Sequence, residues 1–219
     1  MNKRPNILFL FTDQQRFDTI AALGNPVIKT PALDRLVREG TAFARAYTPS
    51  PVCISGRCSL ITGLPAHITD CTDNVPMPQN LSSFMELLNG GGYQTHGVGK
   101  MHFSPDPLRM WGFESRDRHE EVWEAGGNDY AAWLREHGYS YVLEDGGMRS
   151  EYYYIPQPSQ FPAEAHQSSW VADRSIDFLN RRDKSRPFML WSSWIKPHPP
   201  FESPAPWSKL YRPEEVGHP

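Results

Sequence analysis

The stretch Asn6–Asp13, NILFLFTD, decides the fold class of this chain. Its apolar run, Ile7–Phe11, predicts a central strand of a parallel sheet, because such strands are buried on both faces. Asp13 follows the run directly, at the end of the strand where ligands bind in open parallel sheets. The run is shorter than the apolar part of a secretory leader and ends in an acidic residue, so we interpret it as a strand.

Helical and strand patterns alternate along the rest of the chain. Helices are predicted from a Thr30 cap to a stop at Gly40, from Cys53 onward, from Ser82 or Ser83 to Gly90, near Asp129–His137, and over Ser169–Arg182. Further strands are predicted over Ala42–Tyr47, Tyr93–Val98 and Phe188–Trp194. This alternation predicts an α/β fold, with a mostly parallel sheet sandwiched by helices.

Composition excludes several classes of protein. The net charge of -3 argues against nucleic-acid binding by bulk electrostatics. No segment approaches the length of a membrane span, and the three cysteines match no zinc pattern and form no disulfide framework. We therefore expect a cytoplasmic protein, or a periplasmic one if a leader was removed, with neither nucleic acid nor membrane as a partner.

The block Pro49–Gly63, PSPVCISGRCSLITG, carries a reactive side chain at a predicted helix start. Cys53 and Arg57 are four residues apart, so they share one face of that helix. The free N–H groups of the first helical turn attract an anion. A thiol, a guanidinium and such a helix end predict chemistry on a sulfate or phosphate. The competing interpretation is that Cys53 is a small buried apolar residue.

Ionisable residues follow the other predicted strands as well. Lys100 and His102 come after the strand that ends at Val98, and Lys196 and His198 come after the strand that ends at Trp194. Each could be an ordinary cap or surface residue. Because parallel strands end at one edge of a sheet, we expect these groups to meet there and to form a site.

Five segments carry a resemblance to a known family. They are Asn6–Gln14, Thr30–Leu36, Cys53–Gly63, Gly97–His102 and Pro197–Pro199. In this order they look like the signatures of the sulfatase family, in the alkaline-phosphatase-like superfamily. The resemblance implies that residues 1–219 are the N-terminal part of a sulfatase catalytic domain, with an aromatic-rich insertion at about 104–167.

The resemblance also implies a cofactor set. Cys53 would be oxidised to formylglycine, whose hydrated aldehyde provides the nucleophilic oxygen. Asp13, with Gln14 and the modified Cys53, would bind a divalent cation: calcium, or another such as magnesium or manganese. The protein would then be a sulfuric ester hydrolase.

The family implies roles for the remaining candidates. Arg57 would hold the modified residue and offset its charge. Lys100 and His198 would contact the sulfuryl oxygens. His102 would orient the formylglycine hydroxyl or assist the proton transfer that regenerates the aldehyde.

Two positions depart from the family pattern. Ser55 stands where the familiar modification signal has Pro or Ala, so the conversion of Cys53 needs a direct test. Gln14 stands where many members have a second Asp. The Asp13–Gln14 pair is similar to the branch with phosphonate monoester and choline-ester hydrolases, so a phosphonate or phosphodiester hydrolase is the alternative.

The family's last metal ligands, an Asp followed by Asn or His, have no counterpart here. No Asp occurs after Asp183, and Lys209 lies where the family has an ordinary loop. The chain therefore resembles a truncated sulfatase, and alone we expect it to be inactive for want of a closed metal site. The other alternative is a catalytically incomplete anion-binding fragment. We expect the missing C-terminal part, or self-association, to cover an exposed part of the sheet.

The predicted substrate is a small-molecule or saccharide sulfate ester, whose leaving group the residues do not identify. Aromatic side chains of the 104–167 segment could stack on a sugar, but packing within a loop-rich region is the favoured interpretation. They are Trp111, Phe113, Trp123, Tyr130, Trp133, Tyr139, Tyr141, Tyr152, Tyr153 and Tyr154.

Overall fold

A computed structural model describes residues 4–121 and 127–217. Its strands are β1 (Ile7–Thr12), β2 (Gln94–Gly99), β3 (Ser115–Arg118), β4 (Gln157–Pro158), β5 (Phe188–Trp194) and β6 (Glu202–Ser203). Its α-helices are α1 (Pro31–Glu39), α2 (Cys53–Thr62), α3 (Ala66–Thr69), α4 (Phe84–Gly90), α5 (Asp129–Glu136) and α6 (Gln167–Arg181). Short 3-10 helices span Ala21–Leu23, Trp207–Lys209 and Pro213–Glu215.

The main sheet is parallel and has the strand order β1-β5-β2-β3. Strands β4 and β6 form a separate parallel pair. The predicted α/β fold with a mostly parallel sheet is therefore confirmed, and the carboxyl ends of the main strands lie along one edge.

Local signals in the sequence explain where several helices begin and end. The Ser83 hydroxyl accepts a hydrogen bond from the Glu86 amide, and the Glu86 carboxylate accepts one from the Ser83 amide, so this pair starts α4. Helix α2 ends at Gly63, which is left-handed at φ 69°. Thr30 differs from its prediction, because its hydroxyl donates to the Asp34 carboxylate (2.8 Å) and does not cap the α1 backbone.

Two apolar clusters cover the two faces of the sheet. Strand β5 contributes to both, because Met189 and Trp191 point to one face while Phe188 and Leu190 point to the other. The first cluster includes residues of α2 and α4, and the second includes residues of α5 and α6. Helices therefore sandwich the middle of the sheet, as predicted.

Strand β1 was predicted to be central, and this prediction is wrong for the described sheet. β1 pairs with β5 alone, at one end of the strand order. Ile7, Phe9 and Phe11 pack on the first apolar cluster, whereas Leu8 and Leu10 on the opposite face each keep 49% of their surface exposed. The continuous apolar run thus has one buried face and one open face.

The predicted strand at Ala42–Tyr47 is also wrong, because residues 41–47 contain no strand. Phe43 and Tyr47 are largely exposed, so their β propensity meets no sheet neighbour. Conversely, β3 lies inside the 104–167 segment and joins the main sheet through β2. Its sequence, SRDR, is polar and gave no strand signal.

The aromatic side chains listed above divide between the apolar clusters and the surface. Trp111, Phe113 and Tyr130 are buried in the two clusters. Tyr141, Tyr152 and Tyr154 are exposed, and Trp123 lies outside the described residues. Over 4–121 and 127–217, no helix is both long and apolar enough to cross a membrane.

Candidate active site

The carboxyl ends of the strands bring the predicted site residues together. Asp13 follows β1, Lys100 follows β2, and His198 lies in the loop after β5. Cys53 is the first residue of α2. The ligand atoms of Asp13, Cys53 and His198 all lie within 4.8 Å of one another, so these residues meet at the sheet edge, where the strand-end rule predicted them.

Asp13 is the buried carboxylate at the centre of this group. Its Oδ2 lies 2.9 Å from Arg57 Nη2 and 2.8 Å from Lys100 Nζ, and its Oδ1 lies 3.7 Å from Cys53 Sγ, as the acceptor of the thiol. Burial by itself raises the pKa of Asp13, but the charges of Lys100 and Arg57 outweigh it and bring the pKa to about 2. Asp13 is therefore ionised at neutral pH.

Arg57 donates hydrogen bonds to groups at the carboxyl ends of three strands. Besides Asp13, its guanidinium donates to the Lys100 carbonyl (2.6 Å) and the Ser193 hydroxyl (3.3 Å). It also lies over the ring of Phe11, 5.0 Å from the centroid. Residues next to β1, β2 and β5 are thus held by one buried cation on α2. These contacts make Arg57 a positioning residue for Asp13.

Lys100 is fully buried and is surrounded by three groups that can be anionic. Its Nζ contacts Asp13 Oδ2, forms an ion pair with the Glu121 carboxylate, and lies 3.7 Å from Cys53 Sγ. Gly99 permits this placement, because a Cβ at Gly99 would lie 1.9 Å from the Ser193 carbonyl oxygen, and its φ is +85°. The backbone of Lys100 then donates to that same carbonyl (3.1 Å).

The Cys53 thiol lines a groove of about 730 Å³ that also includes Asp13, Gln14 and Tyr47. Burial, followed by the neighbouring Asp13 and Glu121 carboxylates, raises the pKa of Cys53, although Lys100 opposes the shift. The thiol is therefore protonated at neutral pH. One amide of the first helical turn, Ile54 N–H, is taken by the Asn74 side chain (3.3 Å).

His102 lies beside the thiol, and its imidazole is neutral at neutral pH. Burial, helped by the charge of Lys100, lowers the pKa of His102 to about 4. Its backbone has a positive φ of 54°, and the Glu120 carboxylate supports this turn by accepting the amides of Met101 (2.9 Å) and His102 (3.1 Å). The neutral imidazole can accept a proton or a metal ion.

Glu121 is a site residue that sequence reasoning missed. Its carboxylate pairs with Lys100 and lies 3.6 Å from His198 Nε2 and 3.5 Å from Arg149 Nη2. Burial raises the pKa of Glu121, but Lys100 outweighs it and lowers the pKa overall. Glu121 therefore brings a negative charge to Lys100 and His198, the two side chains predicted to bind the substrate anion.

His198 itself is buried, and its Nδ1 donates to the Pro199 carbonyl (2.6 Å). Nε2 is therefore the ring atom that faces Glu121 and the site.

The donors at this edge fit part of a calcium shell. Asp13 offers Oδ1, and the exposed Gln14 offers an amide oxygen from the same groove. An oxygen in place of the Cys53 sulfur would add a third hard donor, whereas calcium takes about six to eight oxygen ligands. The described residues can thus hold one side of a hard divalent cation.

Lys196 was expected at the same edge but has a separate environment. Its Nζ donates to the carbonyls of Pro200 (2.6 Å) and Gly146 (3.1 Å) and lies 3.3 Å from the buried Glu202 carboxylate. His166, the residue before α6, contacts the same carboxylate at 2.8 Å. This group, which we call the Glu202 cluster (His166, Gln167, Lys196 and Glu202), fixes the loop that carries His198.

A second groove, of about 820 Å³, borders the Glu202 cluster and extends to Trp207 and Lys209. Its lining includes Lys196 but none of the residues assigned a catalytic or metal-binding role in the sequence analysis, and we assign it no chemistry.

Comparison with known proteins adds a family to this geometry. The sequence model of the sulfatase family matches residues 5–215. An arylsulfatase of Clostridium perfringens is 32% identical over 99% of this chain, and an N-acetylglucosamine-6-O-sulfatase of Bacteroides thetaiotaomicron is 29% identical over 90% of it. This chain spans 48% of the first protein and 31% of the second.

A solved structure with the same fold is the phosphonate monoester hydrolase of Agrobacterium radiobacter. It superposes with a TM-score of 0.78 over 96% of this chain and 44% of its own, at 24% identity. This likeness confirms the alkaline-phosphatase-like architecture of the sheet and its helices.

The chain belongs to the sulfatase family, as the five sequence segments predicted. It spans about half the length, or less, of the curated relatives named here.

Proposed function

We propose that this protein hydrolyses sulfate esters at the carboxyl edge of its sheet, with a formylglycine made from Cys53 as the source of the nucleophilic oxygen. The observation that carries the proposal is the position of the Cys53 side chain. It starts α2 with an ionised carboxylate, Asp13, and an ammonium, Lys100, each 3.7 Å from its sulfur. Such a pair of charges suits an oxygen nucleophile that attacks an anionic ester.

The chain's own residues would bind and orient the sulfate. Lys100 and His198 both face Glu121 Oε1, so a sulfuryl oxygen that took the place of this oxygen would meet both side chains. Glu121 would have to leave these partners when the substrate anion enters, because Lys100 already contacts two carboxylates, Asp13 and Glu121, and a third anion would add strong repulsion. Arg57 holds Asp13 in place, and the neutral His102 is within reach of the residue at 53 as a proton acceptor.

A divalent cation, proposed as calcium or another such as magnesium or manganese, would be held by Asp13 and Gln14 from this chain. Bound there, it would polarise the sulfate ester as a Lewis acid. The described residues supply part of its ligands, which supports the expectation that the 219-residue chain alone turns over little or no substrate. We therefore propose the activity for the protein at the length of its relatives.

The substrate class we propose is a sulfated saccharide or a small aryl sulfate. A relative carries the name N-acetylglucosamine-6-O-sulfatase, and another is named an arylsulfatase. The exposed rings of Tyr152 and Tyr154 offer flat apolar surfaces of the kind that stack on sugars.

The test joins mass spectrometry with turnover. The Cys53 peptide, from a host with the converting machinery, should carry the aldehyde in place of the thiol, and Cys53→Ala should abolish hydrolysis of an aryl sulfate. Lys100→Met should lower kcat by about 100-fold or more, since it removes a cation aimed at developing charge. Lys209→Met, an exposed lysine outside the site, is the matched control and should keep full activity. Thiol alone at residue 53 in an active enzyme would refute the formylglycine proposal.

The second candidate is a phosphonate monoester or phosphodiester hydrolase. The Asp13–Gln14 pair favours it, since Gln14 lies in the groove beside Cys53, and a phosphonate monoester hydrolase shares the fold. Turnover of an aryl sulfate and an aryl phosphonate should be compared in one preparation. A higher kcat/KM for the phosphonate would select this candidate. No turnover of either, with saturable sulfate binding that Arg57→Ala removes, would select an anion-binding protein without catalysis.

A further inference from the structure

The unmodified Cys53 thiol belongs to a cluster of three side chains, each a different type of metal ligand. Cys53 Sγ, a ring nitrogen of His102 and a carboxylate oxygen of Glu121 all lie within 4.8 Å of one another. A thiolate, an imidazole and a carboxylate are the ligands of zinc, while calcium takes oxygen ligands only. This set differs from the oxygen donors, Asp13 and Gln14, considered for the hydrolase.

The imidazole of His102 is left with an unused polar atom. Its Nδ1 is buried and has no hydrogen-bond partner among the described residues. Buried ring nitrogens of histidine normally have a partner, so the orphaned atom itself points to a missing ligand.

The structure already holds a positive charge among these groups. The Lys100 ammonium contacts the Glu121 carboxylate and Asp13 Oδ2 and lies 3.7 Å from Cys53 Sγ. The cluster is therefore arranged around a cation, and a divalent ion would compete with Lys100 for Glu121 and the sulfur. That competition weakens metal binding but does not remove it, because a divalent ion interacts about twice as strongly with each anion at the same distance.

We propose that the thiol form of this chain binds a thiophilic divalent cation, of which Zn²⁺ is the type, through Cys53 Sγ, His102 and Glu121. Binding releases the thiol proton to solvent, and the metal–sulfur bond replaces the S–H bond. Three protein ligands leave the fourth position of a tetrahedral zinc ion to water. Conversion of Cys53 to an aldehyde removes the sulfur, and the preference for zinc disappears with it. The proposal thus concerns a form of the protein that the hydrolase does not use.

The experiment uses the chain made in a host without the converting machinery, with the Cys53 thiol verified by mass. Co²⁺ is the spectroscopic probe, because a cobalt–thiolate bond gives a charge-transfer band in the near ultraviolet, and Zn²⁺ should displace it. We expect the band in the parent chain and none in Cys53→Ser. That variant keeps the Cys58 and Cys71 thiols, so a band that survives in it would overturn the proposal, as would a parent chain with no band.

Two further variants test the other ligands and the competing lysine. Glu121→Gln should weaken Zn²⁺ binding by about 10-fold or more, while Glu164→Gln, which removes an exposed carboxylate, should leave it unchanged. Lys100→Met should tighten Zn²⁺ binding, the opposite of its expected effect on sulfate hydrolysis. Equal Zn²⁺ affinity in Glu121→Gln and the parent chain would overturn the ligand set. Circular dichroism and urea unfolding of each variant separate loss of a ligand from loss of the fold.

Discussion

Asp13 and Glu202 are two buried carboxylates with similar electrostatics and different neighbours. Each is 7% exposed. Arg57 and Lys100 lie beside Asp13, and His166 and Lys196 lie beside Glu202. For both, burial raises the pKa, and hydrogen bonds and charges outweigh it to bring the pKa to about 2. Charge and burial therefore do not distinguish a reactive site from a structural one here.

The difference lies in what else each carboxylate touches. Asp13 has the Cys53 thiol on its second oxygen and opens on a groove of about 730 Å³. Glu202 Oε1 takes all three contacts of its cluster, and the cluster secures the backbone around Pro200, next to His198. Both carboxylates line a groove, so the feature that distinguishes Asp13 is the neighbouring Cys53 thiol rather than its burial, its lowered pKa or its access from solvent.

The largest expected effect comes from breaking the Asp13 group. Arg57→Met should lower the free energy of unfolding by about 3–5 kcal/mol, because it leaves a buried carboxylate with one cation fewer. Urea unfolding of this chain measures the loss. In the Arg57→Met background, Asp13→Asn should cost less than it does in the parent chain. Additive losses would show that the two side chains stabilise the fold independently.

A smaller effect is expected from the Glu202 cluster, and it should depend on pH. Glu202→Gln should lower the free energy of unfolding by about 2–3 kcal/mol at pH 7, since the folded state holds this carboxylate well below its ordinary pKa of about 4.5. A lowered pKa stabilises the fold above pH 4.5, and this contribution fades as the pH falls towards 2.

Urea unfolding of the parent chain and Glu202→Gln across pH 6 to pH 2.5 tests that sign. The difference in the free energy of unfolding between the two proteins should narrow as the pH falls. Protonation of Asp13 lowers the stability of both proteins alike. A gap that stays constant would mean that the hydrogen bonds of Glu202, rather than its charge, stabilise the loop.

The smallest effect is expected from an exposed ion pair whose N–O distance is similar to those of the buried pairs around Asp13 and Glu202. Arg16 Nη2 and Asp18 Oδ2 lie 2.6 Å apart, with side chains 63% and 38% exposed. Asp18→Asn should leave the free energy of unfolding nearly unchanged, because water screens the pair. The same urea assay measures it. A loss near that of Glu202→Gln would break the link between burial and effect on which the comparison rests.

The sequence predicted the frame of the fold because its apolar runs and caps act locally. The strand at Phe188–Trp194 was predicted with its observed bounds, and the α4 start at Ser83 follows from its capping box with Glu86. The position of the exposed face, at Leu8 and Leu10, could not be predicted, since a run of apolar residues has the same pattern whether one face or two are covered.

The candidate site was predictable from the strand ends, with the exception of Glu121. Asp13, Lys100 and His198 each follow an apolar strand, so the strand-end rule found them. Glu121 also follows a strand, since it lies three residues after Arg118, the last residue of β3. It was missed because the polar sequence SRDR was not recognised as a strand. The Glu121–Lys100 pair joins residues 21 positions apart through β2–β3 pairing, which no local pattern specifies.

The position of β1 at the end of the described sheet ties the site to local unfolding. A strand with one hydrogen-bonded neighbour and a half-open face is among the first elements to detach from a sheet in native-state fluctuations. Asp13 is the next residue after β1, and it is bonded to Arg57, Lys100 and the thiol. Each detachment of β1 therefore disassembles the carboxylate–lysine–thiol group, and whatever binds that group and bridges it to Lys100 also holds β1 on the sheet. Amide exchange along β1 should therefore slow when the site is occupied, because both depend on whether β1 is attached to the sheet.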